Sequence, residues 1–539
     1  MTGSETQTPP PSLWPRLIRS LGPKQIGWAN YFFLFVCVAA QLATFLITWP
    51  AWEVRPVSFD ATAGAMPNLP WVAGAPQFST AVLLIASLVF VLISPRKLGM
   101  LFHLLLLGIA ISMDQLRCQP QVLCVAFLMA ACVWPWARRL CVWYLIAMWT
   151  WAGIHKFLSP DWFSYVSGYL MESVESRLET VVKSAGLEPE LDLSKCYWMF
   201  AAMVAISEVA TGILAWWRPK FGAIACVLLH LGIACFLLFL QWNYSVLPWN
   251  FATAIVGGWL IWNGVGQRGE NREIENGKTL RMSLRLPTNY WEKAIVVAML
   301  LIPIGFYFGL VRHGLAHVLY SNNMPLCVIN RSDRVEVIDS WEDLGVPFPY
   351  AEKPYHDYFK LTGQPDETIH IRNVLTWLKR DQFFRHEGDQ SIREISEREF
   401  LADQTQRFHV CVVDDPKKMF QLELAGAQMK RRSALDLVFA IQFNPENFEP
   451  EQLKLLSGIR NLEQIQLGGC QVTDEDLKLI PMLGKLCGIG LRGTAVTDQG
   501  LKHLAKHQFL NVIEHEGSGI SDAAHRAFLG TQTGQRIAD

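Results

Sequence analysis

The stretch WTWAGIHKFLSPDWF, Trp149 to Phe163, ends an apolar run on His155 and Lys156 and follows it with Asp161 and Trp162. A lysine there has two roles open to it. It can snorkel, with its stem along lipid and its ammonium among headgroups, or it can act as a base if it is held in a dry site. Few other polar groups share its apolar surroundings. His103 lies in a run that closes on Asp114 and Gln115, Glu208 sits near the middle of residues 196–217, and His230 sits near the middle of residues 220–240. QWNYSVLPWN, residues 241–250, adds Asn243, Trp249 and Asn250. Ionisable groups at membrane depth are costly and usually face the bundle interior or a cavity. The candidate catalytic set is therefore Lys156, His155, Asp114, Glu208 and His230, with Trp249, Asn250 and Asn243 as candidate cofactor contacts. Each also has a structural role open to it. Asp114 can pair with Arg117 or begin a turn, Glu208 and His230 can form a buried pair that fixes helix packing, and His103 can simply pack. The tryptophans can form an interfacial belt. No metal-ligand spacing such as HExxH occurs.

These groups need helices to hold them. Of the 539 residues, 51% are hydrophobic and only 18% charged, and the average hides a division near residue 314. Residues 1–26 form a polar, proline-rich tail, residues 27–314 a series of apolar runs, and the rest is ordinary soluble sequence. The first apolar run is too long for a cleavable signal and lacks a small-residue cleavage site, so it is expected to stay as an anchor. A membrane-spanning helix needs about 20 apolar residues. Candidate spans are 27–48, 78–94, 97–113, 121–136, 139–158, 197–217, 221–239, 247–263 and 292–314, which makes about nine. Arg16, Arg19 and Lys24 precede the first, and Arg96 and Lys97, Arg138 and Arg139, Arg218 and Lys220, then Arg268 to Arg285 occupy every second loop. The positive-inside rule then places the N-terminus in the cytoplasm and the C-terminal part outside it. Asp114, Lys156, Asn243 and Asn250 map to the outer rim. Glu208 and His230 map about half a membrane deeper, and all are expected to line one pocket open to the outside.

The stretch Gly153-Ile-His-Lys156 followed by Asp161-Trp162 resembles the membrane domain shared by vitamin K-dependent gamma-carboxylases and their bacterial HTTM relatives, and overlaps in pattern with DoxX-like proteins. SMDQLRCQPQ (residues 112–121) and LLHLGIACFLLFLQWNYSVLPWN (residues 228–250) resemble two further pieces of that domain, in the same order. The resemblance spans roughly residues 25–315. It departs at His155, where the pattern has a second lysine, and Asp161-Trp162 comes one residue later. The resemblance implies that Lys156 is a base that takes a proton from a lipid quinol. Oxygen then converts the quinol to a strong base that acts on a glutamate, to which carbon dioxide adds. A free lysine titrates near about 10.4, so such a role requires burial in a dry pocket.

From 315 to 434 the chain reads as a mixed α/β domain. CVINRSDRVEVIDSW, DETIHIRNVLTWL and RFHVCVVDD suggest strands, SIREISEREFLADQTQRF an amphipathic helix, and GVPFPY a rigid turn. Residues 435–539 carry a repeat of period 24. Val438, Leu462, Leu486 and Leu510 open the units, and Ile441, Ile465, Ile489 and Ile513 follow in register. The pattern L-x-x-I-x-L-x-x-[CT]-x-V-T-D-x-x-L resembles a leucine-rich repeat: a strand, then V-T-D as the cap of a helix. The 12 cysteines show no CxxC pairing. A bridge involving Cys118, Cys196 or Cys327 is open if these face an oxidising side.

The expected fold is thus a polytopic α-helical membrane protein of about nine spans in the plasma (inner) membrane, with an extracytoplasmic α/β domain ending in a short repeat arc. The net charge of −1 gives no reason to expect nucleic acid. Partners are membrane lipids and a protein bound through the repeats. Two functions stay open. One is a quinone- or lipid-using enzyme, carboxylase-like, with Lys156 as base and a lipid quinol as cofactor. The other is a non-enzymatic lipid- or protein-binding membrane protein with the repeats as interaction module.

Overall fold

The computed structural model describes residues 28–54, 67–72, 74, 76–93, 96–159, 162–184, 196–264, 289–308, 310–311, 315–318, 325–332, 335–338, 351–373, 380–400, 412–432, 437–507 and 509–538. Each of the nine apolar runs is helical over most of its length: α1 (Trp28–Ile47), α2 (Ala81–Ile93), α3 (Arg96–Met113), α4 (Pro120–Val133), α5 (Pro135–Phe157), then an outlying amphipathic α6 (Ser167–Ser184), and α7 (Tyr197–Trp217) and α8 (Pro219–Leu240). The run 247–263 is α9 (Leu247–Ala252), a π-turn (Thr253–Gly257) and α10 (Gly258–Gly264), and the last run is α11 (Tyr290–Leu301) tightening into a 3-10 segment (Ile302–Phe308). Among the described residues five helices are long and apolar enough to cross a membrane: Asn30–Ile47 within α1, then α3, α7, α8 and Tyr290–Phe308; α2 and α4 are shorter apolar helices. α5 has the length, but Arg138, Arg139, His155 and Lys156 stand in its end turns.

Helix breaks fall where the sequence places them. Pro135 and Pro219 sit in the first turn of α5 and α8, where the missing N–H costs nothing. The basic residues of alternate loops gather on neighbouring helix ends: Arg139 pairs with Glu292 at 2.8 Å, Arg138 lies over Trp259, and Lys220 lies over Trp262. α5 packs along α7. Small residues set that approach, since a Cβ on Gly153 would meet the Ala205 carbonyl oxygen at 2.6 Å.

Among the described residues the C-terminal part holds two five-stranded sheets. The first, antiparallel, has the order β2 (Val335–Val337), β1 (Leu326–Asn330), β3 (Thr368–Arg372), β4 (Gln382–Gly388), β5 (Ser391–Glu394). α12 (Glu352–Thr362) buries Tyr355, Tyr358 and Phe359. The second runs β6 (Gln428–Arg432), β7 (Leu437–Gln442), β8 (Gln464–Gln466), β9 (Gly488–Gly490), β10 (Val512–Glu514). In it β6 is antiparallel and β7 to β10 are parallel, with Ile441, Ile465, Ile489 and Ile513 directly in register. The 24-residue period is thus the repeat of a parallel sheet, and these isoleucines are buried in one core. α13 (Pro416–Leu424) joins the sheets. The buried Asp414 just before it accepts from Val438 N and Asn461 Nδ2 at 2.8 and 2.9 Å.

Three local expectations change. SIRE is strand β5, with helix beginning only at Glu397, because Ile392 pairs opposite His386 in the ladder. Of RFHVCVVDD, residues 407–411 lie outside the described residues, and Val412 to Asp415 form no strand, with Asp415 the N-cap of α13 accepting from Lys417 N. In the repeats Thr497 and Ser521 do accept from N–H groups that follow them, but the aspartates turn elsewhere. Asp474 accepts from Thr497 N and Oγ1 at 2.7 and 2.6 Å, and Asp498 from Ser521 N and Oγ, each stitching one repeat to the next. The unit before Thr473 has Pro450 at that column, and Thr473 N bonds instead to its own Asp476 at 2.8 Å. No disulfide forms among the described cysteines. GVPFPY lies outside the described residues.

Candidate functional site

Lys156 stands in the last turn of α5 and is 1% exposed. Its Nζ donates to both carboxylate oxygens of Glu208 on α7, at 2.9 and 2.8 Å. The sequence separated these two by half a membrane. The close seam through Gly153 and the length of the lysine stem bring them into contact. The Lys156 Nζ also lies 5.2 Å from the centroid of Trp162, whose indole N–H donates to the Ala201 carbonyl of α7 at 3.0 Å. Lys156 therefore does not snorkel. It is enclosed between a carboxylate and an aromatic face, an arrangement that keeps a charge tolerable in an apolar medium.

His155 points to a different set of partners. Its Nε2 lies 2.8 Å from the Ala316 carbonyl, which only accepts, so Nε2 carries the proton. Nδ1 is then the acceptor for the Tyr307 hydroxyl at 2.6 Å. The ring ties α5 to the last membrane segment and to the start of the soluble part. His317 is next to it in the chain order of that segment, held at φ 60 and buried with its ring edge-on to Tyr144.

His230 belongs to a third set. The Trp149 indole can only donate, so its 2.9 Å contact makes His230 Nε2 an acceptor. Nδ1–H then donates to Asn250 Oδ1 at 2.8 Å, and Asn250 Nδ2 donates to the Val246 carbonyl. Trp249 packs against the same ring, at 6.1 Å. The expected Glu208–His230 pair is replaced by Lys156–Glu208 and His230–Asn250, because α5 and not α8 presents a cation to α7. Asn243 lies apart, at a left-handed turn with φ 50, accepting from Ser245 Oγ at 2.8 Å.

Asp114 caps the turn after α3, accepting from Leu116 N at 3.0 Å and Leu69 N at 3.4 Å. Arg117 is fully buried, and its guanidinium donates to the carbonyls of Ala51, Ala110 and Glu53. Gln115 reaches Asp357 of α12 at 3.0 Å, across to the soluble part. The described contacts thus divide the sequence-derived candidates into five sets rather than one pocket. Tyr307 and His317 were missed. Tyr307 sits in the irregular end of the last apolar run and His317 just beyond that run, where neither periodicity nor charge singles them out. His103, packed in the core, bonds Ser87 at 2.7 Å.

The arrangement that can do chemistry is Lys156 with Glu208. Amine and carboxylate together share one proton across hydrogen bonds of 2.8 to 2.9 Å and can take up one more. Among the described residues there is no cluster of three metal-ligating side chains. Comparison with known protein families, characterised proteins and solved structures finds no match to this chain.

Proposed function

We propose that this is a polytopic membrane enzyme in which the Lys156–Glu208 pair takes a proton from a lipid quinol at the outer face of the bilayer, as the resemblance to carboxylase-like proteins implies. The observation that carries the reading is a lysine amine enclosed at the end of an apolar helix and bonded to the Glu208 carboxylate of the facing helix. A quinol hydroxyl brought to the pair would give up its proton to leave ammonium and carboxylic acid, with the quinolate as product. Oxygen is the co-reactant for any later oxidation of that quinolate. In this reading all nine apolar runs cross the plasma membrane, the N-terminus is cytoplasmic, and the soluble part lies outside. The gathering of Arg138, Arg139 and Lys220 on neighbouring helix ends supports one basic face. The parallel 24-residue units act as leucine-rich repeats that present a protein partner.

The second reading is a non-enzymatic lipid- or protein-binding protein. It is favoured by the completeness of the ion pair, which is what a purely structural link between α5 and α7 would also need. The test is quinol consumption under air by the full-length protein in lipid nanodiscs. Activity in wild type that Lys156→Ala abolishes and Glu208→Gln reduces supports the enzyme. No consumption in wild type with supplied quinol, or equal consumption in Lys156→Ala, favours the second reading.

A further inference from the structure

The chain leaves α5 and enters a π-turn, Trp162–Val166, that runs directly into α6. Single π-turns are rare and recur at functional places in helices. Here the first residue of the turn is the aromatic that faces the Lys156 ammonium. The inner side of α6 carries on the same contact, with Trp162 and Leu170 in one cluster with Ala201 of α7 and Leu240 of α8. The outer side is different. Tyr169 and Val181 are about half exposed, and the rest of that face holds Glu172, Arg177 and Lys183. This is an amphipathic helix lying on the bundle, as an interfacial helix does.

Two details bear on movement. Gly168 stands where the π-turn gives way to α6, and a Cβ built there would meet nothing within 4 Å, so no packing reason requires glycine. Farther along, Arg177 Nη2 donates to Gln241 Oε1 at 2.9 Å, an exposed bond to the left-handed residue that ends α8.

We propose that the π-turn and α6 form a hinged cover over the Lys156–Glu208 pair, with Trp162 as its positioning residue and Arg177–Gln241 as its latch, and that an amphiphilic ring compound from the outer leaflet enters beneath it. The inference rests on the proposed proton chemistry for its purpose, though not for its geometry. Lys156 is closed off in this state, so a substrate reaches the amine only if something lifts. Trp162 is the aromatic that faces it. The glycine gives the turn its freedom, and the exposed Arg177 bond is the contact that solvent can replace most readily.

The test reads access and not turnover. Full-length protein in nanodiscs is treated with acetic anhydride, and acetylation of Lys156 is followed by peptide mass spectrometry. Lys183, exposed on α6, serves as the internal standard, and Lys485, buried in the repeat core, reports on folding. Arg177→Ala is expected to raise the Lys156 rate several-fold, and Gly168→Ala, which stiffens the hinge without a clash, to lower it. Trp162→Ala is expected to give the largest rise. Because it also alters the surroundings of the ammonium, the other two variants decide. Equal Lys156 rates in wild type, Arg177→Ala and Gly168→Ala, with Lys485 protected in all, overturn the cover. Should quinol consumption prove independent of Lys156 while acetylation follows these variants, the proton chemistry fails and the cover stands.

Discussion

At the residue scale, the meaning of each polar group is fixed by who can donate to whom. A tryptophan N–H decides the tautomer of His230 and a backbone carbonyl decides that of His155. Those two rings are fully engaged in holding helices together, which leaves Lys156 and Glu208 as the pair with proton capacity to spare. The sequence made Lys156 legible because few ammonium groups end so apolar a run. It left the partner of Glu208 open because a single chain shows depth along a helix but not rotation about it. The same logic applies in the repeats at His507, which stands in the column of Ile459 and Leu483 and accepts from Leu483 N. Burial pushes its imidazole down to about 4, against the opposing pull of a hydrogen bond to the Leu483 backbone and with a further push from neighbouring Lys506. The folded protein therefore holds it neutral while the unfolded chain protonates near about 6.5. Its contribution to stability is complete above that value and is lost as pH falls toward 4. Protection factors of the repeat-strand amides, corrected for the intrinsic slowing of exchange at lower pH, are expected to fall between pH 6.5 and 4.5, and less so in His507→Gln; equal pH dependence in both proteins would refute this role.

At the scale of elements, the apolar runs were readable because length and hydropathy speak directly to helix, and the 24-residue columns because parallel strands stack like on like. Register within the repeat followed as well, with isoleucine on isoleucine across four strands. What was not readable depends on contacts far apart in the chain. Asp474 looks like a local cap in sequence and is instead a bond to the next unit, visible only once the units lie side by side. SIREISEREF has helical spacing, yet its first four residues add a strand to an existing ladder. Tertiary pairing overrides local preference there. The seam between α5 and α7 makes a direct prediction. Gly153→Ala places a methyl group against the Ala205 carbonyl and must spread the two helices. Overpacking of this kind costs about 1–3 kcal/mol, and thermal unfolding in detergent should fall accordingly. An unchanged midpoint would show that the seam has slack.

At the scale of the whole molecule, three parts meet at one end of the helical bundle. Gln115 after α3 bonds Asp357 of the antiparallel domain, Ala316 bonds His155, and α13 touches the π-turn that carries Trp162. The candidate site therefore lies where the helical bundle joins the C-terminal part. The proposed orientation rests on the basic loops and has a direct test. In intact cells, protease added outside is expected to remove the repeats, and digestion only after the membrane is opened would reverse the topology. The division near residue 314 was plain in composition. The convergence of the parts was not, because no sequence feature marks Gln115 or Ala316 as contacts. The account stands or falls on whether the Lys156–Glu208 pair acts on a substrate or only joins two helices. Removing one partner strands a buried charge at a cost of about 3–5 kcal/mol, so single variants confuse chemistry with folding. Lys156→Met/Glu208→Gln removes both charges while keeping the volume, and such replacements of buried pairs are often neutral or stabilising. Quinol consumption by this double variant in nanodiscs, with its unfolding midpoint recorded alongside, is the most direct measurement. The account predicts a folded protein without turnover; a folded protein with wild-type turnover would contradict it.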